Sequence, residues 1–593
     1  MDYFKFIGKR RIFVLLGIVI IFLAFTIPSI KKPFVLDEVA QVEAGRGLAN
    51  TRIPFRYYGE QVGNCLALEH PPVYLYLLAL SFKIFGLSEF SARLVSVFFG
   101  LGTLFTIYFL CIEIFKNTKE KYVIALVSSF LYAINPLIIQ GSLLVDIDGS
   151  LLSFVLMLFV YFFIRYFRKL DILKIMLLGA LLTLIWWTKF QIVFLVITSL
   201  ILFYIVRRDF KEGIIVTFSI SLIGTLLFLF TWQIYTSILN LPFVNPFLHN
   251  FILSRAQFDI YNILIMLWSV KNILFWTTPP FFIFITLFFL QNAGRYLNGK
   301  NIDGLDYLFF YGLINLCFFS IIRPTAFGFP KYFIPMMPAF SIVTGYFIVS
   351  FALRNKKIQN VIYLCLFLAI ILVIFNFLVL KDPFISHNIF YTKSITIEKD
   401  LPIYIRSQID GLLFFIPSII ALVGFLILKH NLYKSIVASS ILVLVVLSVY
   451  VDYVQAIANY STNYAYGQGG ILETGKYLNN HTTSSDTIIA PLTIGYYSGR
   501  NYFRSYPNHG DFSMDETISK NEIPYIVISP SEKFYEFSIY YKLDAEYGSF
   551  RIYKKNSSQI PLSREEYRKN GIGIERRYFP YNLSFSCIPY KVP

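Results

Sequence analysis

Charge is scarce in this chain. Only 15% of its 593 residues are Asp, Glu, Lys or Arg, against about a quarter in an ordinary soluble protein. That excludes a soluble globular fold for most of the sequence. Cysteine is sparse too. Cys65, Cys111, Cys317, Cys365 and Cys587 show no CxxC and no Cys/His spacing, which excludes a Cys-based metal centre. Three of the five lie inside apolar runs and read as small core residues, while Cys65 and Cys587 fall on one expected side and are available to pair. There is no internal repeat and no low-complexity tract. The first apolar run, Ile12 to Ile30, follows Lys5, Lys9, Arg10 and Arg11, and no small-x-small cleavage site comes after it. It therefore reads as a retained first span rather than a signal peptide.

Apolar and aromatic residues fill the gap. The chain is 56% hydrophobic, with 63 Phe and 42 Tyr, and its mean hydropathy is +0.62. Such a sequence has the bilayer as its solvent. The net charge of +17 would suggest nucleic acid in a soluble protein. Here Lys and Arg stand in short clusters between apolar runs, which makes them topology signals and contacts for anionic lipid. No basic stripe forms on a polar domain, so nucleic acid is not an expected partner.

A crossing needs about 20 apolar residues. Runs at 12–30, 91–115, 122–140, 149–167, 213–238, 271–291, 305–322, 333–353, 361–380, 411–428 and 436–454 qualify. The stretch 172–206 is interrupted at Trp186-Trp187-Thr188-Lys189 and is long enough for two short spans joined by a tight turn. This predicts a polytopic α-helical membrane protein with about thirteen crossings. Residues 71–86 are apolar but short, open with Pro71-Pro72 and contain Lys83. If they do not cross, the basic clusters at 116–121, 165–174, 207–211, 295–300, 354–357 and 429–434 all join the N-terminal cluster inside. If they cross, every later cluster flips. The positive-inside rule therefore places 71–86 in the outer interface.

That topology divides the chain into a membrane domain, 1–454, with an outer loop at 31–90, and a polar extracytoplasmic domain, 455–593. In the polar part, Leu472 to Asn480 reads as a helix, and Thr487–Ala490, Tyr525–Ile528 and Phe550–Tyr553 read as strands. A small α/β domain is expected.

The same topology collects, on the outer side, the ionisable residues that are hardest to explain as topology signals. Asp37-Glu38 leaves the first span; a carboxylate near a membrane surface is a tunable general base, or simply a solvated acidic pair. Glu69-His70 precedes Pro71-Pro72 and offers half of a divalent-metal site or, through His70, a phosphate contact, against the plainer reading of a turn. Asp146 and Asp148 stand before Gly149-Ser150, where one of them would suffice as a helix N-cap. Lys189 at the hairpin apex is either a phosphate cation or a snorkelling side chain beside two Trp. Arg323 and Lys331-Tyr332 flank a short loop, and basic residues on that side run against the inside bias, which favours a bound anion. Carboxylates and cations gathered beside lipid fit a phosphate-bearing lipid with a transferable group. Cations would stabilise the leaving phosphate, and a carboxylate would deprotonate an incoming hydroxyl.

At these residues the sequence resembles the GT-C class of polyprenyl-phosphate-sugar-dependent glycosyltransferases, near the protein O-mannosyltransferases and the lipid A aminoarabinose transferases. The resemblance covers about residues 10–350. It runs through Asp37-Glu38, His70-Pro71-Pro72, the run Gly86-Leu87-Ser88-Glu89-Phe90-Ser91-Ala92-Arg93-Leu94, then Asp146 and Asp148, Thr188-Lys189, and Lys331-Tyr332 with Pro335 and Pro338. Many relatives carry Lys where this chain has His70. The Trp-Trp-Asp motif of oligosaccharyltransferases is absent, since Trp186-Trp187 is followed by Thr188. The resemblance implies sugar transfer from a polyprenyl phosphate at the outer face of the plasma membrane, with inversion. Asp37 and Glu38 would be the catalytic residues, with Asp37 as base. Lys189, Lys331, Arg323 and His70 would hold the donor phosphate, and Asp146, Asp148 and Tyr332 would contact acceptor or donor sugar. It also implies a divalent metal in some members, for which Glu69 and His70 are the candidates here. A transporter or flippase of a lipid-linked sugar is the alternative. It would place polar residues at mid-membrane and often repeat its halves. A sensor with a large membrane anchor gains nothing from the ordered motifs.

Overall fold

The structure is a computed structural model that describes residues 10–34, 36–57, 64–67, 71–240, 273, 277, 279–299, 301–322, 330–353, 441, 445, 448, 470–504, 523–528, 541–548 and 550–556. It begins with apolar helix α1, Arg11–Thr26, extended by a tight turn at Ile27–Ser29. Helix α2, Leu36–Thr51, follows, then a short antiparallel pair of strands, β1 Phe55–Tyr57 and β2 Asn64–Leu66. Helix α3, Val73–Phe85, has 13 residues. At 1.5 Å per residue it reaches only about 20 Å, too short for a hydrocarbon core of about 30 Å. It lies against α2, where Leu78 and Phe82 close over Gly45. The expected non-crossing segment is thus a short helix packed on the first loop.

Helix α4, Glu89–Ile114, starts from a reciprocal cap. The Ser88 hydroxyl accepts from the Ser91 amide at 3.2 Å, and the Ser91 hydroxyl accepts from the Ser88 amide at 3.1 Å, which satisfies two of the donors that a helix start leaves bare. Helices α5, Lys121–Ala133, and α6, Pro136–Leu143, correct the expectation of one straight span over 122–140, since they meet at a bend of 64°. Asn135 is the cause. Its side-chain oxygen accepts from the amides of Leu137 and Ile138, and Pro136 starts a new helix but cannot continue the old one. Then come α7 Ser150–Tyr166, α8 Ile172–Thr188, α9 Phe190–Arg207 and α10 Phe210–Ile238. The last membrane elements described are α11 Pro279–Asn298, α12 Gly304–Ile322, a 3-10 turn at Lys331–Met336 and α13 Met337–Leu353. The interrupted stretch 172–206 does form two helices, with Lys189 as the one residue between them.

Among the described residues, five helices are long and apolar enough to cross a bilayer, or six if the bent α5–α6 pair is one span. Helices α3, α7, α8 and α12 are apolar and shorter. The spans expected at 361–380 and 411–428 lie outside the described residues, as does 436–454 apart from 441, 445 and 448.

After the helices comes a five-stranded sheet in the order β4-β3-β5-β7-β6, formed by β3 Thr487–Ala490, β4 Asn501–Arg504, β5 Tyr525–Ile528, β6 Tyr541–Tyr547 and β7 Phe550–Lys555. Strand β3 runs parallel to β4 and β5, and the β5–β7 and β7–β6 pairs are antiparallel. Helix α14, Ile471–His481, precedes the sheet, and helix α15, Leu492–Ser498, makes the crossover from β3 to β4. The expected helix and three strands are present. Strands β4 and β6 and helix α15 are additions. The exposed residues of β6 and its bulge between Leu543 and Ala545 blur the period-2 pattern by which a strand is read.

Helix packing inside lipid rests on close approach, because lipid is as apolar as the side chains themselves. Helices α5 and α13 approach at Gly345, where a Cβ would overlap the Ser128 hydroxyl and stand 3.0 Å from the Ser128 backbone. Gly345→Val should therefore lower the thermal unfolding midpoint of the detergent-solubilised protein, with an overpacking cost of about 1–3 kcal/mol. Gly17→Ala, where nothing lies within 4 Å, should leave the midpoint unchanged or slightly raised.

Candidate functional site

Three chain segments meet at one end of the bundle. The first is the turn between α6 and α7, which holds Asp146 and Asp148. The second is Lys189, whose extended backbone at φ −158° lets α8 stop and α9 start within one residue. The third is Lys331-Tyr332, opening the 3-10 turn. The Lys189 ammonium pairs with the Asp148 carboxylate, and both side chains are buried. The Lys331 ammonium donates to the Asp146 carboxylate at 2.6 Å. Asp146 also accepts the Asp148 amide at 3.3 Å, which fixes the turn. Both ammoniums lie by the Tyr332 ring, Lys189 at 4.7 Å and Lys331 at 5.6 Å from its centroid, within cation–π range.

These contacts decide between the readings available in the sequence. Helix α7 takes Gly149 as its N-cap, with no side-chain cap, so neither aspartate is spent on capping. Lys189 is 3% exposed and so does not snorkel. Charges removed from water cost several kcal/mol each unless paired. The cluster meets that cost with two carboxylates for two ammoniums.

Beside it stands a second buried pair. Arg93, one turn into α4, donates to Glu38 at 2.9 Å, and the other Glu38 oxygen accepts the Val145 amide at 3.0 Å. Arg93 also donates to the carbonyls of Leu143 at 3.0 Å, Ile30 at 3.4 Å and Pro33 at 3.2 Å, and to that of Lys32. Its guanidinium lies 5.2 Å from the Phe34 ring. One planar fork thus ties residues 30–38 to the Asp146 turn. Nearby, the Ser96 hydroxyl donates to the Leu144 carbonyl at 2.7 Å and meets the Tyr74 hydroxyl at 3.1 Å. Burial and the Arg93 charge pull the Lys32 ammonium down to about 8. On α2, burial lifts Glu43 to about 7 against the opposing pull of Arg46, 3.5 Å away.

Of the residues singled out in the sequence, Asp146, Asp148, Lys189, Lys331 and Tyr332 come together. Glu38 adjoins them through Val145, with both oxygens engaged, and so serves as an anchor for the loop. Asp37 occupies the first turn of α2, and its side chain lies outside the described residues. Glu69, His70, Arg323 and Cys587, and the Cys65 side chain, also lie outside them. Arg93 lies within the run Gly86 to Leu94, whose pattern alone assigns it no role. Its signal was an arginine close to the start of an apolar helix, where an unpaired charge is costly. No group of three metal-ligating side chains forms among the described residues. The described carboxylates beside the turn face cations, which is a poor donor set for a divalent ion.

Removing Arg93 would leave Glu38 charged and buried. Arg93→Met should cost about 3–5 kcal/mol, read as a fall in unfolding midpoint. The double variant Arg93→Met with Glu38→Gln should recover part of it, while the lost carbonyl contacts prevent full recovery. Glu43 predicts a pH dependence. Its carboxyl is harder to ionise folded than unfolded, so its contribution is fully present below pH 4.5 and is lost as pH rises through about 7. Midpoints measured across this range should fall more steeply in the wild type than in Glu43→Gln.

Comparison with known proteins shows what this chain is similar to. Residues 69–235 match the family described as dolichyl-phosphate-mannose-protein mannosyltransferase. An uncharacterized protein of Aquifex aeolicus (strain VF5) is 46% identical over 59 residues, which is 10% of this chain and 14% of that protein. The crystal structure of ArnT from Cupriavidus metallidurans bound to undecaprenyl phosphate is similar over 93% of this chain and 99% of its own, with a TM-score of 0.57 and 14% identity. The archaeal oligosaccharyltransferase AglB from Archaeoglobus fulgidus, in complex with an inhibitory peptide and a dolichol-phosphate, is similar over 95% of this chain and 76% of its own, with a TM-score of 0.51 and 14% identity. The chain thus shares its fold with these two structures along nearly its whole length, and the segment holding Arg93, Asp146, Asp148 and Lys189 matches the mannosyltransferase family model.

Proposed function

We propose that the chain moves a sugar from a polyprenyl-phosphate donor to a hydroxyl acceptor at the extracytoplasmic face of the plasma membrane, with inversion. The observation that carries this reading is the meeting of Lys189, Lys331, Asp146, Asp148 and Tyr332 at helix ends. Support for the donor comes from ArnT and AglB, which hold undecaprenyl phosphate and dolichol-phosphate. Support for the sidedness comes from the basic clusters, which the positive-inside rule assigns to the opposite face.

In this reaction Asp37 takes the proton of the acceptor hydroxyl as its oxygen attacks the anomeric carbon. The bond from that carbon to the phosphate oxygen breaks, and its electron pair leaves on the lipid phosphate. The Lys189 and Lys331 ammoniums stabilise the negative charge that grows on the phosphate oxygens, with Arg323 and His70 as further candidates. Both described lysines are paired with aspartates, so an incoming phosphate exchanges places with a carboxylate. Asp146 and Asp148, once released, are placed to accept hydrogen bonds from sugar hydroxyls, with Tyr332 as a ring surface beside them. Glu38 acts through position, by fixing the start of α2, which carries Asp37. A divalent ion at Glu69 and His70 is no part of these steps. The acceptor reaches the site from the aqueous side, near the polar region after residue 455.

A carrier of lipid-linked sugar binds its cargo near the bilayer midplane. The family model that matches residues 69–235 is instead one of transferases, which favours chemistry over carriage.

Asp37→Asn should cut transfer of labelled sugar from its polyprenyl-phosphate donor by about 10²-fold or more, the usual weight of a general base, with undecaprenyl phosphate binding unchanged. Turnover at the wild-type rate would remove Asp37 from the mechanism. Lys331→Ala should instead weaken undecaprenyl phosphate binding.

A further inference from the structure

The short crossover helix α15 reaches the first loop. The Tyr497 hydroxyl accepts the Phe34 amide at 2.7 Å and donates to the Glu89 carboxylate at 2.7 Å. Its neighbour Tyr496 meets the Phe34 ring edge-on at 6.0 Å. Phe34 is fully buried and stands three residues before Asp37. From the other side, Arg93 holds Glu38 and the carbonyls of residues 30, 32 and 33. Glu89 and Arg93 lie four residues apart on α4, one turn along a single face. The loop between α1 and α2 is therefore gripped twice, by a membrane helix and by the C-terminal sheet region.

Tyr497 is itself fixed from behind. A Cβ on Gly475 of α14 would stand 2.7 Å from the Tyr497 Cβ and 3.0 Å from its carbonyl carbon, so only glycine allows α14 this close. Burial and the adjacent Glu89 carboxylate push the Tyr497 hydroxyl well above its ordinary value. It keeps its proton and goes on donating at any working pH.

We infer that Tyr497 is a positioning residue for the transfer reaction, and that the C-terminal region braces the start of α2 through it. This rests on the reading of Asp37 as base. The brace acts on the geometry of Asp37, whereas the lysine cluster takes the phosphate. It therefore bears on turnover and leaves donor affinity alone.

The test uses the full chain in lipid nanodiscs, with Tyr497→Phe, Glu89→Ala and Glu89→Gln. Hydrogen exchange reads the loop directly, and turnover of the native polyprenyl-phosphate sugar is followed in membranes of the source cells. Tyr497→Phe and Glu89→Ala should speed exchange over residues 34–45 about fivefold, the weight of one ordinary hydrogen bond, and leave β5 unchanged. They should lower kcat by a similar factor with KM for the donor constant. Glu89→Gln keeps an acceptor oxygen for the Tyr497 hydroxyl and should restore both. Unchanged exchange over residues 34–45, or a rise in KM with kcat intact, overturns the brace. If Asp37→Asn stays active while Tyr497→Phe loosens the loop without slowing turnover, the base assignment has failed and the catalytic role of the brace falls with it. If Asp37→Asn is inactive and Tyr497→Phe changes nothing, the base stands and the brace alone is overturned.

Discussion

Pairing of buried charge governs the end of this bundle where Lys189, Asp148, Lys331 and Asp146 gather. Lys189 and Asp148 are both withdrawn from water, and neither could stay there alone. Their attraction brings the apex of the α8–α9 hairpin against the α6–α7 turn. Lys331 and Asp146 do the same for the start of the 3-10 turn, 185 residues further along the chain. Apolar helices in lipid have little preference for one neighbour over another. Charged pairs of this kind supply that preference, and they place the cations and carboxylates of the proposed chemistry within one small volume.

The same economy explains the first loop. A segment leaving a membrane helix carries backbone carbonyls that need donors. Arg93 answers several of them at once because a guanidinium offers five N–H groups in a rigid plane. A lysine at this position could not hold Glu38 and the carbonyls of residues 30, 32, 33 and 143 together. The Val145 amide completes Glu38 and joins this loop to the aspartate turn. Residues 30–38 and the Asp146 turn are consequently parts of one bonded unit.

Much of this was legible in the sequence. The shortness of the 71–86 segment was visible in its apolar run, and the hairpin apex at Lys189 followed from a polar break in an apolar run. Asp146, Asp148, Lys189, Lys331 and Tyr332 all stand out in the sequence as polar residues next to apolar runs. Their pairing was not legible, because residue types and spacing do not reveal that each cation and carboxylate satisfies the other. The bend at Asn135-Pro136 was missed for a related reason. Hydropathy counts apolar residues and is blind to an amide side chain that caps a new helix. Arg93 was visible as an arginine near the start of a span, but its five partners are scattered from residue 30 to residue 143. The contact from Tyr497 to Phe34 spans 463 residues and has no local signature at all.

The central claim is that the Lys189 and Lys331 ammoniums are held by aspartates until a lipid phosphate takes their place. An experimental structure of the full chain with undecaprenyl phosphate tests this most directly. The account predicts phosphate oxygens within hydrogen-bond distance of the Lys189 or Lys331 Nζ, with the matching aspartate pair opened. A phosphate seated elsewhere, with both lysine–aspartate pairs intact, would contradict it.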